Sequence, residues 1–85
     1  MINDKKKFSC ACCGYYVFDY DPVETHSVCP VCYWEEDIVQ ESDPKFKGGA
    51  NNLSLFEAKI NYKEFGAIEE KFKQYVREPN KDELS

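Results

Sequence analysis

The 85-residue sequence has no long hydrophobic run and only one histidine and one methionine. No stretch approaches the roughly 18 consecutive apolar residues that indicate a membrane-spanning helix, so we expect no such helix. An apolar signal-peptide region is also missing, because Lys5, Lys6 and Lys7 are followed by a cysteine-rich turn. We therefore expect the protein to be cytoplasmic, a compartment where paired cysteines bind metals more often than they form disulfides.

Lysine and arginine are absent from residues 8–44, a segment that carries eight acidic side chains. The whole chain has a formal charge of −5. Nucleic-acid binding depends on basic residues that neutralise phosphates, so this charge argues against a nucleic-acid partner. An acidic surface instead favours a basic protein partner, because opposite charges speed the encounter.

What the acidic segment does contain is all five cysteines. Four of them form the pairs Cys10-x2-Cys13 and Cys29-x2-Cys32, a spacing typical of a metal site. Each pair can turn tightly, present two sulfurs to one tetrahedral ion and leave backbone N–H groups to bond the thiolates. Two disulfides would instead leave one cysteine over. We predict one structural Zn²⁺ on these four cysteines, with iron as the alternative because it accepts the same ligands.

A site closed by four thiolates has no open position for a reactive water, so its zinc would stabilise structure rather than catalyse hydrolysis. We find no phosphate-binding loop, no serine nucleophile motif and no supported cysteine–histidine pair, and we predict that the protein is not an enzyme. Cys12 is the cysteine left over. It is either a spare thiol beside the turn or a redox-sensitive thiol that attacks a ligand and expels zinc.

The segment after Gly14 favours a strand, because Tyr16, Phe18 and Tyr20 alternate with the period of two. A turn at Asp21-Pro22 and a short return strand around Ser27-Val28 would complete a β-hairpin with the cysteines at its open end.

The C-terminal half favours two helices. Ser54 and Glu57 match a capping box, and Gly66 supplies a stop. Two apolar stripes at helical spacing accompany these signals: Leu55, Ala58, Tyr62 and Phe65, then Ile68, Phe72, Tyr75 and Val76 up to Pro79. We predict an α+β fold in which a small zinc-ribbon or rubredoxin-like β-hairpin packs against two C-terminal helices. Its core would combine Tyr16, Phe18 and Tyr20 with Leu55, Tyr62, Phe65 and Phe72.

A chain of this length predicts one domain, residues 1–85. Its predicted parts are a cysteine-rich hairpin half (8–44), a loop (45–52), a helical half (53–78) and a tail (79–85).

Two families share motifs with the chain. The segments Cys10-x2-Cys13-Gly14-Tyr15 and Val28-Cys29-Pro30-Val31-Cys32 resemble the metal-binding turns of rubredoxins over about a quarter of the chain, although Tyr33 stands where rubredoxins have glycine. This resemblance implies an iron electron carrier. A longer set of motifs is similar to the bacterial cysteine-rich CPCC family: Cys10-Ala11-Cys12-Cys13-Gly14, Cys29-Pro30-Val31-Cys32-Tyr33-Trp34-Glu35-Glu36-Asp37, Gly48-Gly49-Ala50-Asn51-Asn52-Leu53-Ser54-Leu55 with Glu57 and Ala58, and the region of Asn61-Tyr62 and Phe65-Gly66.

The CPCC resemblance implies a small zinc-binding protein with no established enzymatic activity. Ala11 replaces the proline that usually follows the first cysteine of the family motif, which removes no ligand.

Trp34, Glu35, Glu36 and Asp37 follow the fourth cysteine directly. Trp34 either covers the metal site or anchors a partner, and the acidic residues either begin a short helix or form a recognition surface. We predict a protein-interaction module that binds a basic protein through this surface, and an immunity-type inhibitor of a basic toxin is one version of that function. The alternatives are an iron electron carrier, a nucleic-acid-binding zinc ribbon and a zinc–thiol redox switch; the sequence does not indicate an oligomeric state.

Overall fold

A computed structural model describes residues 8–84, so the ends of the predicted domain (1–85) and tail (79–85) lie outside the described residues. Within 8–84 the chain forms a small compact globule with few helices and almost no strand. None of these helices is long and apolar enough to cross a membrane. The elements in chain order are the α-helices α1 (Pro22–Thr25), α2 (Ile38–Ser42) and α3 (Leu55–Phe65), and the 3₁₀ helices η1 (Glu70–Tyr75) and η2 (Lys81–Glu83).

The structure does not support the predicted β-hairpin. Phe18 forms an isolated bridge with Phe8, and Val28 forms another with Glu35. Each cysteine pair therefore lies in its own short loop, and we call these the first loop (8–18) and the second loop (28–35). With isolated bridges in place of strands, the α+β class stays a prediction.

The reason lies between the two loops, where the predicted turn is helical. The Asp21 carboxylate accepts a hydrogen bond from the Val23 N–H at 3.1 Å, and Pro22 occupies the first turn of α1. The helix ends at His26, whose φ of 50° is left-handed. Because helix α1 follows Asp21, the segment around Ser27-Val28 does not pair with residues 16–20 as a return strand.

Helix α3 begins and ends where the sequence predicts. The Ser54 hydroxyl accepts from the Glu57 N–H at 3.1 Å, and the Glu57 carboxylate accepts from the Ser54 N–H at 3.1 Å. Gly66 ends the helix with a φ of 82°. The capping box and the glycine stop are both confirmed.

The second predicted helix is the 3₁₀ helix η1, preceded by Glu69, which makes no capping hydrogen bond with its side chain. Residues three apart lie on the same side of a 3₁₀ helix. Phe72 and Tyr75 therefore both face Tyr33 of the second loop, with ring centroids 4.5 and 5.5 Å from that of Tyr33. Element η1 thus packs its aromatic side on the second cysteine pair.

The hydrophobic core lies around the cysteines rather than under a sheet. Trp34 is completely buried, and Leu55, Ala58 and Ile68 pack into the same cluster. Of the predicted core aromatics, Phe18 is buried, whereas Tyr16 and Tyr20 are 37 % and 49 % exposed. The alternation that would have placed these three side chains on one face requires a strand, and none forms.

A buried polar network holds the 45–52 loop in place. Gln40 is completely buried, and its amide nitrogen donates to the Leu53 carbonyl at 3.0 Å. Its amide oxygen accepts from both the backbone N–H and the side-chain amide of Asn51, at 3.1 and 3.0 Å. Asn51 in turn bonds the backbone N–H and carbonyl of Glu35 at 2.9 and 2.8 Å. The loop is thereby fixed against the second loop.

Gly49→Ala tests this packing. A Cβ at position 49 would lie 2.6 Å from Gln40 Cγ and 2.7 Å from an Asp37 carboxylate oxygen. We expect the substitution to lower the free energy of unfolding by about 1–3 kcal/mol, as overpacking does. Urea unfolding measures the change, and Ala50→Ser at the exposed neighbouring position is the control, expected to stay within about 0.5 kcal/mol. An unchanged stability for Gly49→Ala would mean that the loop does not pack on Gln40.

An ion pair fixes the C-terminal segment. Arg77 donates two hydrogen bonds to the Glu83 carboxylate at 2.9 and 2.8 Å, and the side chain of Glu83 is only 2 % exposed. The backbone of the same segment reaches both loops, since the Tyr16 N–H donates to the Glu83 carbonyl at 2.8 Å and the Arg77 N–H donates to the Pro30 carbonyl at 3.1 Å.

The Arg77 guanidinium holds the pKa of Glu83 below its ordinary value of 4.5. A depressed pKa contributes stability above the unfolded-state pKa and loses it as the pH falls through the folded-state pKa. We expect Arg77→Met to lower the free energy of unfolding near pH 7 by about 1–3 kcal/mol, between the values for exposed and buried pairs. The loss should shrink as the pH is lowered toward about 5, because the unpaired, buried carboxyl becomes protonated.

Urea unfolding of both proteins between about pH 5 and pH 7.5 measures this difference. Lys81→Met, which removes an exposed positive charge from the same segment, is the control. A loss that is independent of pH would show that Arg77 acts through packing alone.

Candidate metal centre

The first loop folds into a tight turn around its cysteine pair. The Gly14 N–H donates to the Cys10 carbonyl at 2.9 Å, and the Cys12 N–H donates to the Cys10 sulfur at 3.3 Å. The Cys10 N–H donates across the turn to the Tyr15 carbonyl at 3.0 Å. Gly14 closes the turn with a φ of 81°, a conformation that glycine adopts without a steric penalty.

The second loop repeats this backbone. The Tyr33 N–H donates to the Cys29 carbonyl at 2.9 Å, the Val31 N–H to the Cys29 sulfur at 3.4 Å, and the Cys29 N–H to the Trp34 carbonyl at 2.8 Å. Tyr33 stands where the first loop has Gly14 and adopts a φ of 76°. The two turns differ in side chain and not in backbone conformation.

A left-handed tyrosine is strained by roughly 1–2 kcal/mol. The Tyr33 ring offsets this cost through its contacts with Phe72 and Tyr75, since each such aromatic pair contributes about 0.5–1.5 kcal/mol. The strained residue therefore fastens η1 to the second turn.

The two turns face each other and bring four sulfurs together. The Cys10 and Cys32 sulfurs are 3.5 Å apart, those of Cys13 and Cys29 are 3.7 Å apart, and all four lie within 4.8 Å of one another. Sulfurs at about 2.3 Å from a tetrahedral zinc ion would be roughly 3.8 Å apart. The arrangement could therefore hold a metal ion.

The acid–base chemistry of the cluster also fits a cation. The hydrogen bond with Cys13, followed by the contact with Cys29 and by burial, raises the pKa of the Cys10 thiol, although the contact with Cys32 acts in the opposite direction. The pKa of Cys32 is raised by its hydrogen bond with Cys10 and by the remaining sulfurs. Several adjacent thiolates repel one another in a buried site, so a full set of four needs a positive charge among them.

The family comparison agrees with this geometry. The model of the family described as cysteine-rich CPCC matches residues 8–83. The chain belongs to the cysteine-rich CPCC family. The matched range contains both cysteine turns and all the helices, so it covers nearly all of the described residues. No curated protein matches this CPCC chain.

Trp34 lies in the same buried core cluster as Cys10, Cys29 and Cys32. Its indole N–H donates to a Glu41 carboxylate oxygen at 3.2 Å, and that oxygen also accepts from the Asp37 N–H at 2.9 Å. Complete burial of Trp34 excludes the alternative role as an exposed anchor for a partner, and its role as a cover of the metal site stays a prediction.

Two of the four residues of the predicted partner surface are buried in this CPCC protein, and the other two are partly exposed. Besides Trp34, Glu36 is buried. Asp37 caps α2, and its carboxylate accepts from the N–H groups of Val39 and Ala50, both at 2.9 Å. Glu35 is half-buried and its backbone is bonded to Asn51. These residues stabilise the fold, because the chain uses their acceptors to satisfy its own N–H groups.

Glu36 is a buried carboxyl group beside the first turn. One of its oxygens accepts from the Ala11 N–H at 3.5 Å, and the other has no hydrogen-bond partner among the described residues. Burial, followed by the contact with Glu41, raises the pKa of Glu36 to about 8. The sequence did not predict this burial, because Glu36 stands between two other acidic residues, Glu35 and Asp37.

Cys12 lies outside the four-sulfur cluster. It is nevertheless buried, and only its backbone takes part in the turn through the bond to Cys10. The cluster therefore uses Cys13 with Cys10, as the spacing predicts, and a redox role for Cys12 stays a prediction.

Substitution of single cysteines tests the membership of the site. We expect Cys29→Ser to abolish tight binding of one metal ion per chain, because it removes one of the four sulfur ligands. Cys12→Ser is the matched control and should retain one ion per chain. Native mass spectrometry with elemental analysis measures the ratio, and loss of the ion in Cys12→Ser would contradict the assignment.

Proposed function

We propose that this CPCC protein is a non-enzymatic zinc protein in which one Zn²⁺, bound by Cys10, Cys13, Cys29 and Cys32, holds the fold together, and that the folded protein acts by binding another protein. The convergence of four sulfurs within 4.8 Å carries the zinc part of the proposal. Bound zinc would supply a charge that stabilises four thiolates, and all its coordination positions would be filled.

The contacts around the cluster support a structural role for the ion. The Ile68 N–H donates to the Cys32 carbonyl at 2.9 Å, and the Arg77 N–H donates to the Pro30 carbonyl at 3.1 Å. The C-terminal half is thus bonded to the second cysteine turn. Structural zinc contributes about 10–16 kcal/mol in zinc-finger peptides, against a net stability of about 5–15 kcal/mol for an ordinary domain.

Iron electron transfer is the second candidate. The N–H groups of Cys12 and Val31 donate to the sulfurs of Cys10 and Cys29 at 3.3 and 3.4 Å. Such bonds to sulfur also tune the reduction potential of an iron site. The donor set accepts either metal, so the decision depends on which ion the protein takes up.

The protein-binding part of the proposal needs a surface other than the predicted one. Burial of Trp34 and Glu36 takes away two of the four residues on which the immunity-type inhibitor was based and leaves Glu35 and Asp37 partly exposed. Exposed apolar side chains on α3 support a binding function instead, since Phe56 and Ile60 are 50 % and 48 % exposed.

Expression with zinc and iron supplied in equal amounts tests the metal. We expect the purified protein to contain one zinc per chain and to be colourless. A red protein that contains iron and undergoes reversible one-electron reduction would contradict the zinc proposal and support electron transfer. Cys29→Ser, prepared in the same way, controls for metal bound elsewhere on the chain.

A further inference from the structure

A groove of about 540 Å³ separates the first cysteine turn from α3. Cys12, Cys13 and Tyr15 line it on the side of the turn, and Tyr62 forms part of the opposite wall. Most of this lining is apolar, and the groove opens on the surface of the protein. It lies beside the metal centre but on the outer side of the sulfur cluster.

The helix edge of the groove exposes two large apolar side chains. Phe56 and Ile60 are 50 % and 48 % exposed and stand one helical turn apart, so they form a continuous patch on α3. Apolar side chains spaced by one turn on an exposed helix face are a common anchor for a bound segment.

The same edge is positively charged. Lys59 and Lys63 line the groove one helical turn apart, and neither forms a salt bridge within residues 8–84. Lys45 adds a third charge, with its ammonium group 5.5 Å from the centre of the Phe56 ring. The nearby acidic residue Glu57 is already paired with Lys47 at 3.2 Å. This local positive charge contrasts with the formal charge of −5 of the chain.

We propose that this groove is the protein-binding site, and that it takes an acidic segment of another protein with one apolar side chain seated in the groove and carboxylates beside Lys59 and Lys63. The assignment rests on the proposed protein-binding function and names its surface and the charge of its partner. It reverses the charge of the partner predicted from the sequence, because of the acidic residues in that prediction Glu36 is buried and Asp37 caps α2.

Two other kinds of binding partner could occupy the groove, and each would bind it in a different way. A nucleic acid would have to approach a protein of net negative charge with few phosphate contacts, which gives weak binding with a shallow salt dependence. A second copy of the chain would have to present an exposed acidic segment such as Asp19 and Asp21 to the groove. Both are outcomes that the experiment distinguishes.

The experiment selects 12-residue peptides from a random display library against the zinc-loaded protein. We expect the enriched peptides to be acidic and to share an aromatic or aliphatic residue. Synthetic copies should bind the Lys59→Glu, Lys63→Glu double variant at least about tenfold more weakly than the unmodified protein, and Ile60→Ser should also weaken binding. Lys81→Glu, a charge reversal outside the groove, should leave the affinity within about twofold.

Zinc content and circular dichroism of each variant show whether weaker peptide binding results from the changed surface or from a protein that no longer folds. Peptides that bind the double variant equally well would overturn the groove while leaving a protein-binding function intact. Selection of basic peptides would overturn the groove and its acidic partner while leaving a protein-binding function intact, and selection of no peptide would overturn both. A single-stranded oligonucleotide that binds through Lys59 and Lys63, or a dimer that the double substitution dissociates, would replace the proposed occupant with nucleic acid or with a second copy.

Discussion

The meeting of four cysteine sulfurs in one buried place is the constraint on which the rest of this structure depends. Strand pairing among the described residues is limited to two isolated bridges, and the longest helix has 11 residues. Each bridge closes a loop around a cysteine pair, so even the little strand pairing serves the cluster. The C-terminal half is then attached to the second turn by the backbone of Ile68 and Arg77 and by aromatic contacts with Tyr33.

The fold around the cysteine cluster also determines which charged side chains are buried and which are exposed. Of the carboxyl groups that follow the fourth cysteine, that of Glu36 is buried beside the first turn and that of Asp37 caps α2. At the other end of the chain, Glu83 is buried against Arg77. The unpaired positive charges of Lys59 and Lys63 remain at the surface, next to exposed apolar side chains. A net negative protein thereby presents a positive and partly apolar groove.

Short motifs in the sequence correctly predicted the features that depend on those motifs alone. The spacing of Cys10, Cys13, Cys29 and Cys32 identified the cluster, and Ser54, Glu57 and Gly66 identified the ends of α3. The hairpin failed because the alternation of Tyr16, Phe18 and Tyr20 indicates a strand only if a partner strand exists, whereas the Asp21 cap and Pro22 form a helical turn. The burial of Gln40 and Glu36 could not be predicted, because each depends on partners more than ten residues away, and no local pattern distinguishes such residues from exposed ones.

Hydrogen–deuterium exchange of the zinc-loaded and the chelated protein tests the central claim most directly. If the cluster organises the whole fold, removal of zinc should abolish amide protection in α3 and in the segment from Ile68 to Arg77, as well as in the two loops, because these parts pack on the core formed around the cysteines. The Cys12→Ser protein, with zinc bound, should keep the full protection pattern. Persistent protection of α3 and the C-terminal segment after chelation would contradict the account, since these parts would then fold without the metal.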